Sequence, residues 1–307
     1  KKRALVKGWR KVFQNPDLAF YWVQLANYQR ESREPAGGEG WAKIRAAQTR
    51  ALDIPGTGMA VITDIGAAND IHPRNKQDVG WRLAQWALNQ TYGRNKLVPS
   101  GPLFKSQKVE ADSIRLSFRH VGKGLMAGRK SGLEPTRELE EGKLEHFAIA
   151  GADREWFWAE AMIDGETVVV RSKDVPKPLA VRYAYTMNPA RANLYNRAGL
   201  PAGPFRTDTW APPLEDLEWT AVADKAPPIS VTGSGTEIIF LNKKDIKVKV
   251  FWVGYGGGMR FYGEVKPGGI RKQNTYSNAI WVITDEKDEP LGYFRTTQKR
   301  GNAVIPK

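Results

Sequence analysis

Two carboxylates and an imidazole stand close together in the string Asp64-Ile65-Gly66-Ala67-Ala68-Asn69-Asp70-Ile71-His72-Pro73. An imidazole that titrates near neutrality can take the proton of a serine hydroxyl. A carboxylate beside it orients the ring and stabilises it once charged. His72 is therefore a candidate general base, with Asp70 and Asp64 as rival partners. The same spacing has a plainer reading, in which His72 precedes proline at a helix entry and Asp70 or Asn69 caps that helix. A second concentration of side chains lies near the carboxyl end, where residues 236–307 hold ten aromatics, among them Trp252, Tyr262, Tyr276 and Trp281. A small sandwich needs such large side chains for its core.

Composition removes several other chemistries. The 307 residues contain no Cys and three His, which excludes disulfides, thiolate metal sites and a cysteine nucleophile and argues against a His-rich metal site; no metal or cofactor is expected. The longest apolar runs, such as 19–23 and 58–62, fall far short of the roughly 20 residues that a membrane-spanning helix needs. The net charge of +14 is dispersed: residues 1–96 carry 16 basic and 8 acidic side chains, residues 97–232 carry 18 of each, and residues 233–307 carry 13 and 7. No helix-turn-helix, zinc-finger or RNA-recognition pattern accompanies the excess, so a solvated basic surface is expected rather than nucleic-acid binding.

The elements that must position these groups change in character along the chain. Residues 1–96 alternate helix and strand. Residues 4–13 read as a helix with Leu5, Trp9 and Val12 on one face, and residues 18–25 as a strand buried on both sides. A helix follows over 41–52, then a strand over 59–64, then a helix over 76–92 with Val79, Leu83, Trp86 and Ala87 at the 3.6 period. This order indicates an open α/β sheet, whose ligands sit beyond the carboxyl ends of the strands, at the loop after Asp64. Residues 97–212 show strand alternation, as in Ile114-Leu116-Phe118 and Val181-Tyr183-Tyr185, and are expected to form an accessory β-sandwich. The Pro- and Gly-rich stretch 213–235 reads as a linker. Residues 236–307 give short strands at 237–241, 247–253, 259–265, 270–276 and 279–285, a second small sandwich turned by Gly256-Gly257-Gly258 and Lys266-Pro267-Gly268-Gly269.

The strings Phe20-Tyr21-Trp22-Val23-Gln24-Leu25-Ala26-Asn27-Tyr28, Gly58-Met59-Ala60-Val61-Ile62-Thr63-Asp64-Ile65-Gly66 and Asp70-Ile71-His72-Pro73-Arg74-Asn75-Lys76 resemble the carboxyl-terminal half of sialate O-acetylesterases, a branch of the SGNH-type hydrolases. Gly101-Pro102-Leu103-Phe104, residues 118–125, Asn193-Leu194-Tyr195-Asn196 and Pro204-Phe205-Arg206-Thr207-Asp208 are similar to the sequence that follows the catalytic domain in those proteins. The resemblance, over roughly residues 1–212, implies a flavodoxin-like α/β half-domain and serine-dependent hydrolysis of acetyl esters on sialic acid or related carbohydrates. It also implies His72 as the base, and it favours a periplasmic or secreted setting without fixing one. Family members usually space the pair as Asp-x-x-His, whereas this chain has Asp-x-His, which keeps Asp64 beside Asp70 as a candidate. The family's Gly-x-Ser-Asn nucleophile turn and its later Gly-Glu-Ser-Asn segment do not occur in the 307 residues. The expectation is a chain that begins partway through a catalytic domain and is inactive alone, since a base without a nucleophile has nothing to activate.

Ile238-Ile239-Phe240-Leu241-Asn242, Val250-Phe251-Trp252-Val253, Phe261-Tyr262-Gly263, Gln273-Asn274-Thr275-Tyr276 and Ile280-Trp281-Val282-Ile283-Thr284-Asp285 resemble the β domain of the von Hippel Lindau tumour suppressor. That resemblance implies a pocket for a proline- or hydroxyproline-bearing peptide, with Trp252, Tyr262 and Trp281 as aromatic walls beside Tyr276, and Thr275 as hydroxyl partner. Extended proline-rich peptides have little backbone entropy left to lose on docking to such walls. The family's histidine is Ala279 here. One lost hydrogen bond is worth about 1 kcal/mol, or roughly fivefold in affinity. The alternative to a hydrolase is accordingly a recognition protein that binds such peptides.

Overall fold

The computed structural model describes every residue except Glu39, Glu141, Pro212, Pro213 and Ser234. Parts of the expected linker, at Pro213 and Ser234, thus lie outside the described residues. The chain divides into two compact units, Lys1–Thr209 and Trp210–Lys307.

In the first unit, helix α1 (Lys2–Val12) leads to strand β1 (Phe20–Val23), α2 (Ala42–Arg50), β2 (Thr57–Ala60) and α3 (Lys76–Trp86). β1 and β2 pair in parallel, from Phe20 opposite Thr57 to Val23 opposite Ala60. Gly58 lets α3 lie directly on β2: a Cβ there would stand 2.5 Å from the Trp86 ring, whose Nε1 donates to the Met59 carbonyl at 2.9 Å. Beyond β2, Val61 and Ile62 stay buried while leaving the ladder, so the expected strand over 59–64 is shifted toward its amino end. Two further expectations differ. β1 is half-buried rather than covered on both sides, and the α1 face with Leu5, Trp9 and Val12 is exposed.

The sandwich of this unit is built from three sheets. One orders strands 103–110, 113–119, 167–171 and 160–164; a second orders 205–206, 180–183, 147–150 and 156–158; a three-stranded sheet orders 194–196, 125–129 and 137–138. Alternate residues Ile114, Leu116, Phe118, Val168 and Val170 meet Phe147, Ile149, Val181, Tyr183 and Phe205 in one core. The helical segment and the sandwich do not separate at residue 96. Fully buried Arg45 on α2 explains why: its guanidinium donates to the carbonyls of Leu25 and Ala26 on one side and of Thr186 and Met187 on the other. Removing that side chain would strand buried carbonyls from both segments.

The second unit is a two-sheet β structure. A four-stranded sheet orders 214–216, 300–305, 235–242 and 270–276, and a five-stranded sheet orders 220–221, 290–295, 280–284, 248–253 and 259–265. The strand expectations from residue 236 onward match closely, but the linker does not. Leu214–Asp216 pairs in parallel with Arg300–Asn302, Thr220–Ala221 pairs with Gly292–Tyr293, and Leu217 and Trp219 pack into the core. Glycines make room for both: a Cβ on Gly301 would stand 2.3 Å from Leu217, and one on Gly292 would stand 2.2 Å from Trp219. The proline-rich flanks masked an apolar pair spaced for one face of an extended chain.

Candidate active site

The loop after β2 carries the Asp and His residues, and their environments differ sharply. Asp64 is sealed, with 5% of its side chain exposed. Arg82 on α3 clasps it with Nη1 to Oδ1 at 2.6 Å and Nη2 to Oδ2 at 2.8 Å, and the Tyr195 hydroxyl donates to Oδ2 at 3.1 Å. Burial opposes the charge on Arg82, but Asp64 outweighs it and the guanidinium pKa rises. Burial, then the negative charge of Asp64, pushes the Tyr195 phenol upward. Asp64 is thus committed to holding α3 and the sandwich strand 194–196 against the end of the parallel pair.

Asp70 and His72 face solvent instead. Asp70 Oδ1 accepts the His72 backbone N–H at 2.8 Å and lies 3.3 Å from His72 Nδ1. That backbone bond is the main reason its carboxyl sits below the usual aspartate range. The His72 side chain is 78% exposed, and no described residue bonds to its Nε2. A carboxylate at Nδ1 with Nε2 outward is the orientation a proton-accepting imidazole requires. Of the two rival carboxylates, the structure brings Asp70 to His72 and commits Asp64 elsewhere. The capping alternative also resolves, because Asn75 caps α3 by accepting the Asp78 N–H at 3.0 Å, a role expected of Asp70 or Asn69.

The loop is tied down at several points. Asn27 Oδ1, beyond the end of β1, accepts the Gly66 N–H at 2.8 Å, and a Cβ at Gly66 would collide with Asn27. The Gln29 N–H donates to the Ala68 carbonyl at 2.8 Å. At its far end Asn75 Nδ2 donates to the Gly132 carbonyl at 3.0 Å, and Lys130 pairs with Asp78 at 2.7 Å. Arg82, Tyr195 and Lys130 were not expected at this site. Arg82 gave a usable signal, a charged residue on the helix face that carries Val79, Leu83 and Trp86.

In the second unit the aromatic residues divide. Trp281 is 2% exposed and belongs to the core, edge-on to Phe240 and to Tyr262 at 5.7 and 5.0 Å. Its Nε1 donates to Thr275 Oγ1 at 2.9 Å, which leaves the threonine proton free to donate. Trp252, Tyr262 and Tyr276 are half-buried at the edge of that core, and Tyr276 stacks on exposed Tyr255 at 6.1 Å. Desolvation and the neighbouring Tyr255 hydroxyl raise the Tyr276 pKa. Of the three expected walls, Trp252 and Tyr262 are therefore half-buried, as is Tyr276 beside them, while Trp281 is buried in the core. Among the described residues no group of three His, Asp or Glu side chains could hold a metal, and no helix is long and apolar enough to cross a membrane.

The chain is mostly β, with an Asp-His pair on the loop that leaves a parallel strand and a second β unit at its carboxyl end. Comparison makes this specific. The chain is similar to the sialate O-acetylesterases of Mus musculus, at 26% identity over 226 residues, and Rattus norvegicus, at 28% over 227, each alignment covering 66% of this chain and 39% of the relative. The sialate O-acetylesterase of Homo sapiens is 31% identical over 121 residues, covering 35% of this chain and 23% of its own. Among solved structures, a carbohydrate acetylesterase from Xanthomonas citri matches with a TM-score of 0.60 and 43% identity, covering 67% of this chain and 45% of that one. Residues 230–295 match the family model of the VHL beta domain. The chain is thus homologous over two thirds of its length to carbohydrate acetylesterases and carries a segment of VHL beta domain type. It spans about two fifths of the length of the rodent relatives.

Proposed function

We propose that the first unit supplies the general base of a carbohydrate acetylesterase, with His72 accepting the proton and Asp70 orienting it. The observation that carries this reading is the contrast within one loop: a committed, buried Asp64 beside an exposed Asp70-His72 pair whose Nε2 is open. In the reaction a serine Oγ bonds to the acetyl carbonyl carbon as its proton passes to His72. The sugar hydroxyl then leaves with that proton, and water repeats the sequence to release acetate. The 307 residues contain no Gly-x-Ser-Asn string, so no serine among them is assigned as the nucleophile. The chain alone is expected to release no acetate from O-acetylated N-acetylneuraminate. A chimera that adds the part of the Xanthomonas citri acetylesterase not matched by this chain is expected to do so. Turnover by the chain alone that survives His72→Ala would refute the assignment.

For the second unit, the half-buried rings of Trp252, Tyr262 and Tyr276 and the donating hydroxyl of Thr275 support binding of an extended proline- or hydroxyproline-bearing peptide. Without the partner that Ala279 replaces, preference for the hydroxyl is expected to be weak. Calorimetric titration of matched proline and hydroxyproline peptides tests this. Binding of neither peptide would assign the rings to packing alone.

A further inference from the structure

The sandwich of the first unit does more than flank the His72 loop. Asn188, which follows the sandwich carbonyls that hold Arg45, is 2% exposed and carries its amide to the exits of both parallel strands. Its Oδ1 accepts from Asn27 Nδ2 at 3.2 Å, and its Nδ2 donates to the Gln29 carbonyl. Each of those partners passes the hold to the loop after β2. Asn27 Oδ1 accepts the Gly66 N–H at 2.8 Å, and the Gln29 N–H donates to the Ala68 carbonyl at 2.8 Å. One buried amide thus grips the loop at the two residues that flank Ala67.

Ala67 is where the hold reaches the chemistry. Its backbone forms an isolated antiparallel bridge with Asp70, and Asp70 Oδ1 accepts the His72 N–H at 2.8 Å. With side chains 78% and 47% exposed, His72 and Asp70 take little support from packing, so the backbone between Gly66 and Asp70 sets where the imidazole stands. An amide suits position 188 because it offers a donor and an acceptor at once. An apolar side chain there would leave the buried Asn27 amide without its acceptor.

We propose that Asn188 is a positioning residue for the esterase reaction: from the sandwich, through Asn27 and Gln29, it fixes the loop that presents Asp70 and His72. The assignment rests on the esterase reading and adds to it that the sandwich, expected to be accessory, sets the geometry of the base. A displacement of about 1 Å at a reacting group can cost on the order of a hundredfold in rate. Asn188 acts on the base and not on the substrate, so its loss should lower kcat and leave KM in place.

The test has two arms. In the 307-residue chain, Asn188→Ala and, as a second variant, Asn27→Ala should each speed hydrogen exchange of the Gly66 amide at least about tenfold. The Gln24 amide, which donates to the Ala60 carbonyl between the parallel strands, should keep its protection. In the acetylesterase chimera each variant should lower kcat at least about tenfold with KM within about twofold of the parent. The double variant should lose less than the product of the single losses, because both residues act in one chain of bonds. Unchanged exchange at Gly66, equal loss of protection at Gly66 and Gln24 in both variants, an unchanged kcat, or fully multiplicative losses would each overturn the proposal. A chimera indifferent to His72→Ala removes the esterase reading and this assignment with it, whereas a chimera that needs His72 and ignores Asn188→Ala removes the assignment alone.

Discussion

The His72 loop and the aromatic cluster of the second unit solve the placement of chemistry in opposite ways. In the first unit structure and reactivity are divided between neighbours: Asp64 is buried and holds the framework, while Asp70 and His72, six and eight residues on, remain exposed and unencumbered. In the second unit they are merged, because Trp281 is core and also orients Thr275, the proposed ligand contact. Divided sites tolerate substitution of their reactive groups without loss of folding. Merged sites do not.

This contrast can be broken at graded cost. The largest effect is expected at Trp281→Ala, which empties a core site and should destabilise the second unit by about 3–5 kcal/mol, read by urea unfolding. If that variant instead keeps its stability and loses only peptide affinity, Trp281 is a wall and not core. Asp64→Ala leaves Arg82 as an uncompensated buried charge and should cost the first unit about 3–5 kcal/mol. Asp70→Ala removes only exposed partners and should leave the melting temperature unchanged. Equal losses in the two variants would erase the division of roles.

A smaller effect concerns acid. Burial holds the His120 pKa at about 4, and burial also lowers that of His146. Between the unfolded value of about 6.5 and pH 4 the unfolded chain binds more protons than the folded one, so stability present above pH 6.5 declines as the pH falls through this window. His120→Asn, which suits the left-handed backbone at φ +62, should flatten part of that decline. An unaltered pH dependence of melting would show that His120 does not titrate as described.

Much of this was legible in the sequence, for identifiable reasons. The second sandwich showed because its strands alternate and its turns carry Gly where the backbone needs positive φ, as at Gly257 and Gly268. The His72 loop showed because two carboxylates and an imidazole follow an apolar strand and because its string resembles that of the sialate O-acetylesterases. What stayed hidden was long-range: the carbonyls of 186 and 187 that hold Arg45, the Tyr195 hydroxyl that reaches Asp64, and the apolar Leu217 and Trp219 inside a proline-rich stretch. Each depends on contacts between segments that composition and spacing do not pair. The engagement of Asp64 was of this kind, since it depends on a helix arginine 18 residues away.

The most direct test is acetate release from O-acetylated N-acetylneuraminate by the chimera, compared among the parent, His72→Ala and Asp70→Ala. The account predicts that His72→Ala lowers kcat at least about a thousandfold and Asp70→Ala by less, with melting unchanged in both. A His72→Ala chimera that turns over at the parent rate would contradict it.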